Sequence, residues 1–287
     1  MNKLIFGDSD FKLHELKKQS IDSIITDPPY GINFRNNKWD YDLPNVLFWR
    51  KCYDVLKDGS YLLAFGSPRT YHRLVCNIED AGFEIRDQIL WIYGSGFPKN
   101  LNTQLKPSHE PIVLAKKKGK LKYLNIDDCK IISKNKTNSR FPANLIHDGS
   151  DCIKDCFPEV KTGSMKPYLR NSKKENTFPD WSKISKSYKI SESGNASRFF
   201  YCAKACRKDK EFFNLHPTAK PKDLMKYLIK LVSKKNDFVL DPFMGSATTG
   251  VAAIELGCNF IGIEKEKKYY DLAKSRIENL TFQSSLF

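Results

Sequence analysis

Two runs of alternating strand-like and helix-like sequence, one at each end of the chain, constrain its fold more than any single motif. In the first run, LIFGDSD reads as a short strand ending at a Gly-Asp turn, followed by a helical stretch carrying Leu13, Leu16 and Ile21. The strand SIITDPPY follows. It must leave its sheet at the prolines, which have no N–H for the ladder, so Asp27 is set at the strand's carboxyl end. A helix over 48–56, a KDG turn, the strand SYLLAFGS, a helix over 70–81 and two apolar runs, IRDQILWIYG and EPIVLAKK, complete the half. The second run opens with a helix over 221–233 that lays Leu224, Met225, Leu228, Ile229 and Val232 on one broad face. The strand FVLDPF, a Gly-rich turn, the helix TTGVAAIELG, the strand NFIGIE and a last helix reaching about Asn279 come after it. Such alternation predicts an α/β fold built on a mostly parallel sheet.

Between the two runs the pattern changes. Residues 116–210 carry 23 Lys and Arg against 10 Asp and Glu, so +13 of the chain's +15 net charge sits there. Gly163, Pro167, Pro179 and Gly194 interrupt any long element, while Tyr168, Phe178, Trp181 and Tyr188 lie among the lysines. Basic residues interleaved with aromatic ones suit a nucleic-acid surface, the alternative being an insertion whose lysines simply face water. No run approaches the roughly 18–20 apolar residues that cross a bilayer, and MNKLIFGDSD has no secretory apolar region, so a soluble, cytoplasmic protein without a membrane partner is expected. Eight cysteines are too dilute for a disulfide scaffold. Cys152/Cys156 and Cys202/Cys206 have a spacing that invites zinc, but glycine knuckles are missing and no metal is expected.

The chemistry is carried by strand ends. DPFMGSATTG joins a strand to a helix through Gly245, Ser246 and Ala247, a turn that lets a ligand approach backbone N–H groups at a helix start. Neither GxxxxGK nor GxGxxG is present. Glu264, ending the next strand, stands where a ribose diol is held; NAD and other adenosine cofactors suit this arrangement alike, and a tight packing turn is the rival reading. DPPY separates them. An exocyclic base amine is a poor nucleophile because its lone pair is delocalised, and hydrogen bonds to the Asp27 carboxylate and the Pro28 carbonyl would orient it toward an electrophile. Pro28 and Pro29 stiffen the loop, and Tyr30 can stack on a base removed from its helix.

Together these blocks resemble the amino-methyltransferases that modify adenine N6 or cytosine N4 in DNA with S-adenosylmethionine, in the circularly permuted order called the beta class. Its DPPY is met by Asp27, Pro28, Pro29 and Tyr30, and its D-P-F-x-G-S-G-T-T by Asp241, Pro242, Phe243, Gly245, Ser246, Thr248 and Thr249, with Ala247 where the family has glycine. H-P-T-x-K-P is met by His216, Pro217, Thr218, Lys220 and Pro221. The resemblance implies a Rossmann-like methyltransferase fold, circularly permuted. Its seven-stranded, mostly parallel sheet would have helices on both faces, with IRDQILWIYG and EPIVLAKK as the sixth and seventh strands. Residues 1–115 would form the catalytic half, 116–210 an inserted target-recognition region and 211–287 the cofactor-binding half. It implies Asp27, Pro28, Pro29 and Tyr30 as catalytic residues. Asp8 would serve the cofactor's adenine side, Glu264 its ribose and Thr218 and Lys220 its methionine end, with Asp241, Pro242, Phe243, Gly245, Ser246, Thr248 and Thr249 forming the turn. The implied substrate is a flipped adenine in double-stranded DNA. Cytosine-N4 methylation, RNA methylation and a non-catalytic nucleic-acid-binding module are the alternatives; a homodimer and a cognate restriction endonuclease are the implied partners.

Overall fold

Apolar side chains alternate along the central strands and bury both faces of one sheet. The computed structural model describes residues 2–33, 40–96, 105–120, 122–132, 139–161, 193–203 and 220–284. Its main elements are β1 (Asn2–Phe6), α1 (Ser9–Lys12), β2 (Ile21–Thr26), α2 (Val46–Val55), β3 (Leu56–Phe65), α3 (Tyr71–Asp80), β4 (Glu84–Ile92) and β5 (His109–Lys116). After the middle segment, which supplies β6 (Leu145–His147) and β7 (Tyr201–Cys202), come α4 (Lys222–Val232), β8 (Phe238–Asp241), α5 (Thr248–Glu255), β9 (Asn259–Glu264) and α6 (Lys267–Ser284).

The sheet runs β1-β9-β8-β2-β3-β5-β4-β6-β7. Among the described strands of this sheet, only β5 is antiparallel to its neighbours, β3 and β4. Leu63 and Phe65 join one core with α4, α5 and α6, whereas Leu62 and Ala64 join the other with α2 and α3, the two-residue period of a strand buried on both sides. The mostly parallel sheet with helices on both faces is present, and among the described residues it has nine strands where the resemblance implies seven. Two short pieces of the middle segment, β6 and β7, extend it beyond β4.

Two local expectations change. Ile21 opens β2 and not the preceding helix, which is a single turn continued by a 3-10 turn over Leu13–Glu15. The KDG turn lies within β3, where the register against β2 slips between Ile21 and Ser23. Gly59 adopts φ 75° there, and a side chain at that point would strike the Lys120 carbonyl, so the backbone bulges where glycine alone fits.

Within 116–210 the described residues also form two antiparallel ladders, Glu159–Lys161 with Ser193–Asn195 and Ile131–Ile132 with Ser139–Arg140. Tyr168, Phe178, Trp181 and Tyr188 lie outside the described residues. Among the described residues no helix is long and apolar enough to cross a membrane, and no group of three or more His, Cys, Asp or Glu is placed to hold a metal. Cys206 lies outside them.

The parallel pairing positions the site. β1, β9, β8 and β2 point the same way, with Phe6 beside Glu264, Asp241 beside Gly262 and Leu240 beside Ile24. Asp8, Asp27, Asp241 and Glu264 therefore meet at one rim, outside the carboxyl ends of adjacent strands. Antiparallel β5 delivers its first residues, His109 and Glu110, to the rim where its neighbours deliver their last.

Candidate active site

A cleft of about 590 Å³ opens along this rim. Every described residue given a catalytic or cofactor-binding role from the sequence lines it: Asp8, the run Asp27 to Tyr30, Lys220, Asp241, Pro242, Phe243, Gly245, Ser246, Thr248, Thr249 and Glu264. Thr218 lies outside the described residues.

On one side is the turn between β8 and α5. The Asp241 carboxylate accepts hydrogen bonds from the Thr26 hydroxyl at 2.7 Å, the Phe243 N–H at 3.1 Å and the Thr249 hydroxyl at 2.6 Å. Its oxygens are thus spent on tying β2, the turn and α5 together. Burial raises its pKa to about 6 against those hydrogen bonds, and the nearby charge of Asp27 adds to the rise. Gly245 has φ 51° and donates its N–H to Glu264 Oε2 at 2.9 Å. Ala247, fully buried, holds φ 58° and ψ 40° at the start of α5. A left-handed conformation costs an L-residue about 1–2 kcal/mol, which explains why glycine is usual at this point of the motif. Arg276 of α6 grips the turn from outside, donating to the Ser246 carbonyl and to the Ser246 hydroxyl at 3.1 Å.

Glu264 accepts the Gly245 N–H on one carboxylate oxygen and the Glu266 N–H, at 2.8 Å, on the other. A carboxylate has about four lone-pair positions, so these bonds leave acceptor capacity for a ligand's hydroxyl. Burial raises the Glu264 pKa, opposed by those backbone N–H groups. Asp8 caps α1 through the Asp10 N–H, and Ser9 donates to the Pro242 carbonyl at 2.7 Å, joining the first strand's end to the turn.

On the other side is the loop after β2. Asp40, 2% exposed, accepts the Tyr30 N–H at 2.6 Å and the Gly31 N–H at 3.2 Å, and Thr70 donates to the Tyr30 carbonyl. The loop is clamped at both ends of Tyr30. Asp27 Oδ1 accepts the Tyr30 hydroxyl at 2.6 Å, and Oδ2 accepts the Lys220 ammonium at 2.7 Å. The ammonium also lies 3.1 Å from Glu110 Oε2, over the Phe65 ring and beside that of Tyr30. Burial opposes its charge, but Asp27 and Glu110 outweigh that and hold the Lys220 pKa above its ordinary value. Burial, reinforced by the same two carboxylates, raises that of Tyr30. Lys220, assigned by resemblance to the cofactor's methionine end, thus sits in the cleft with its ammonium on the DPPY carboxylate.

Sequence reasoning missed Glu110, Asp40 and Arg276. Glu110 left one trace, an acid opening the apolar run PIVLA; the other two left none, since their contacts come from distant elements. Chemically, the walls suit a cationic adenosine cofactor: Asp8, Glu264 and Glu266 make the side of the cleft beside the turn acidic, whereas Asp27 and Glu110 are engaged with Lys220.

Comparisons agree with this geometry. A family model described as DNA methylase, of the N6/N4 methyltransferase class, matches residues 21–275. The type II methyltransferase M.HinfI of Haemophilus influenzae is 28% identical over 98% of this chain and 69% of its own length. Type II methyltransferase M2.DpnII of Streptococcus pneumoniae is 28% identical over 96% and 90%. Among solved structures, the M1.HpyAVI–SAM complex is 25% identical with a TM-score of 0.56, covering 96% of this chain and 99% of that one. PvuII DNA methyltransferase, cytosine-N4-specific, shares the fold with a TM-score of 0.61 at 17% identity, over 98% of this chain and 90% of its own.

Proposed function

Since the chain belongs to the N6/N4 DNA methylase family and is an S-adenosylmethionine-dependent DNA methyltransferase, we propose that its target is the exocyclic N6 amine of adenine in double-stranded DNA. The observation that carries this reading is the Asp27 carboxylate. It stands in the same cleft as the 241–249 turn and Glu264, with one lone pair on each oxygen taken, by Tyr30 and by Lys220. The remaining lone pairs leave it an acceptor for one N–H of an amine.

When bound, S-adenosylmethionine supplies an electrophilic methyl group on a positively charged sulfur. Glu264 would hold its ribose hydroxyls, Asp8 its adenine side and the 241–249 turn its amino-acid end, and the acidic wall favours its positive charge. Asp27 would accept a hydrogen bond from one N–H of the target amine, and the Pro28 carbonyl one from the other. Such hydrogen bonds shift electron density to the nitrogen and fix its orientation. Tyr30 and the Trp91–Tyr93 pair, whose rings lie 4.9 Å apart in the cleft, offer aromatic faces to a base turned out of its duplex. The lysine-rich 116–210 segment supports phosphate contacts.

The Asp-initiated form of the loop supports adenine over cytosine. Expression in a methylation-free host, digestion of its DNA to nucleosides and mass analysis test this. N6-methyladenine is expected; N4-methylcytosine would overturn the choice of base, and the absence of both would overturn the activity.

A further inference from the structure

Asp27 does not stand alone in the cleft. Its carboxylate and that of Glu110 share one ammonium, Lys220, and one hydroxyl, Tyr30, whose oxygen lies 2.6 Å from Asp27 Oδ1 and 3.1 Å from Glu110 Oε2. The Lys220 side chain is only 8% exposed and that of Glu110 18%. Two carboxylates and one ammonium leave the group one negative charge in excess. We propose that Glu110 is a positioning residue for methyl transfer, which divides Lys220 and Tyr30 between two carboxylates so that Asp27 keeps negative charge and free lone pairs for the target amine. The proposal rests on the methyltransferase reading of the cleft.

The physical reason is competition. With Glu110 neutral, the ammonium would belong to Asp27 alone and the pair would sum to zero. A carboxylate fully matched by a buried cation polarises an amine weakly, because the cation repels the positive charge developing on that nitrogen. Glu110 draws the ammonium partly away and takes a share of the Tyr30 hydroxyl. Phe65 and Tyr30, whose rings lie 5.0 and 5.5 Å from the ammonium, limit where it can move. Among the described residues, the other titratable groups facing the cluster are Tyr93 just after β4, which senses Glu110 and Lys220, and Asp241 on β8, which senses Asp27. Both stay unchanged in the variants below.

The test compares the full-length wild type, Glu110→Gln, Glu110→Asp and Lys220→Met. It reads single-turnover methyl transfer to duplex DNA against pH, together with the equilibrium Kd for S-adenosylmethionine. Glu110→Gln is expected to lower the transfer rate about tenfold to a hundredfold while Kd stays within about threefold, the pattern of a lost alignment instead of a lost site. Glu110→Asp, which keeps the charge on a shorter arm, recovers part of the rate. The acid limb of the rate profile moves to lower pH in Glu110→Gln, where a negative neighbour of Asp27 is gone, and to higher pH in Lys220→Met, where its cation is gone. A purely structural role would move neither limb. Wild-type rate in Glu110→Gln, or limbs that stay put, overturns the proposal while leaving the enzyme assignment standing. Should the amide variant not fold, Glu110→Ala takes its place in the same assays, a wild-type rate and profile counting against. A wild type that methylates no DNA overturns both readings together.

Discussion

Replacing Asp27 with asparagine removes one charge and almost no volume, so it separates what that carboxylate does for chemistry from what it does for the fold. In the wild type, Asp27 accepts at 2.6 Å from Tyr30 and at 2.7 Å from Lys220. The amide can present its oxygen to only one of them; with Lys220 served, its NH₂ faces the Tyr30 hydroxyl, which must turn its proton to Glu110 to accept it. The fold does not lose the whole ion pair, because Lys220 keeps Glu110 at 3.1 Å and Asp27 is about a quarter exposed. The 3–5 kcal/mol typical of breaking a fully buried pair therefore shrinks to about 1–2 kcal/mol. For a chain of this size that is a fall in Tm of about 2–3 °C. The chemistry loses a charge-assisted acceptor at the position where charge develops, about 3–4 kcal/mol or a hundredfold to a thousandfold in transfer rate. Affinity for S-adenosylmethionine should hold, since no cofactor-side hydrogen bond passes through Asp27. Single-turnover transfer of a labelled methyl group, calorimetric unfolding and titration calorimetry read the three quantities. A transfer rate within threefold of wild type, in a folded protein that binds the cofactor, would refute the assignment of the amine to Asp27.

The left-handed Ala247 gives a second expectation. In Ala247→Gly, relief of about 1–2 kcal/mol is offset by a lost buried methyl of about 0.8 and by glycine's extra unfolded freedom of about 0.4–1, so stability changes by less than about 1 kcal/mol. Ala247→Val should lose more than about 2 kcal/mol in urea unfolding, and equal stabilities for the two variants would mean that the positive φ is not retained. Asp241 makes stability depend on pH. Its folded pKa, about 6 against an ordinary 3.8, is raised, so its stabilising contribution is full below about pH 4 and is lost as pH rises through 6. The loss amounts to at most about 3 kcal/mol. Asp241→Asn, whatever its baseline cost, should remove that part of the slope in denaturation curves measured from pH 4 to 7; an unchanged slope counts against the shift. Arg276→Ala frees the Ser246 turn and should weaken S-adenosylmethionine binding about tenfold, the equivalent of one charge-assisted hydrogen bond, with the rate at saturating cofactor nearly kept. Unchanged affinity would show that the turn holds its shape without it.

Parts of the site were legible because their chemistry is local. Proline at 28 and 29 ends β2 wherever the strand lies, so Asp27 had to stand at a strand's carboxyl end. The run of glycine and small residues after Asp241 could only be a tight turn into a helix, and Glu264 closes the following strand for the same reason of length. Glu110 was not legible. Its importance follows from β5 running against its neighbours, and strand direction is chosen by pairing across the sheet, which no local pattern in EPIVLAKK reveals. Lys220 reaches Asp27 across 193 positions of chain, and the last strands of the sheet, β6 and β7, are too short to carry a period of their own.

By itself, the sequence determined which residues end strands, which turns need glycine or proline, and which side chains bring acid, amide or aromatic chemistry to those ends, because such preferences are set by the backbone within a few residues. The tertiary structure decided which carboxylates share a cation, which arginine braces the turn and which edge the middle segment extends. Those depend on Coulomb and hydrogen-bonding interactions that act over only a few ångströms, and only the folded sheet brings their partners within reach.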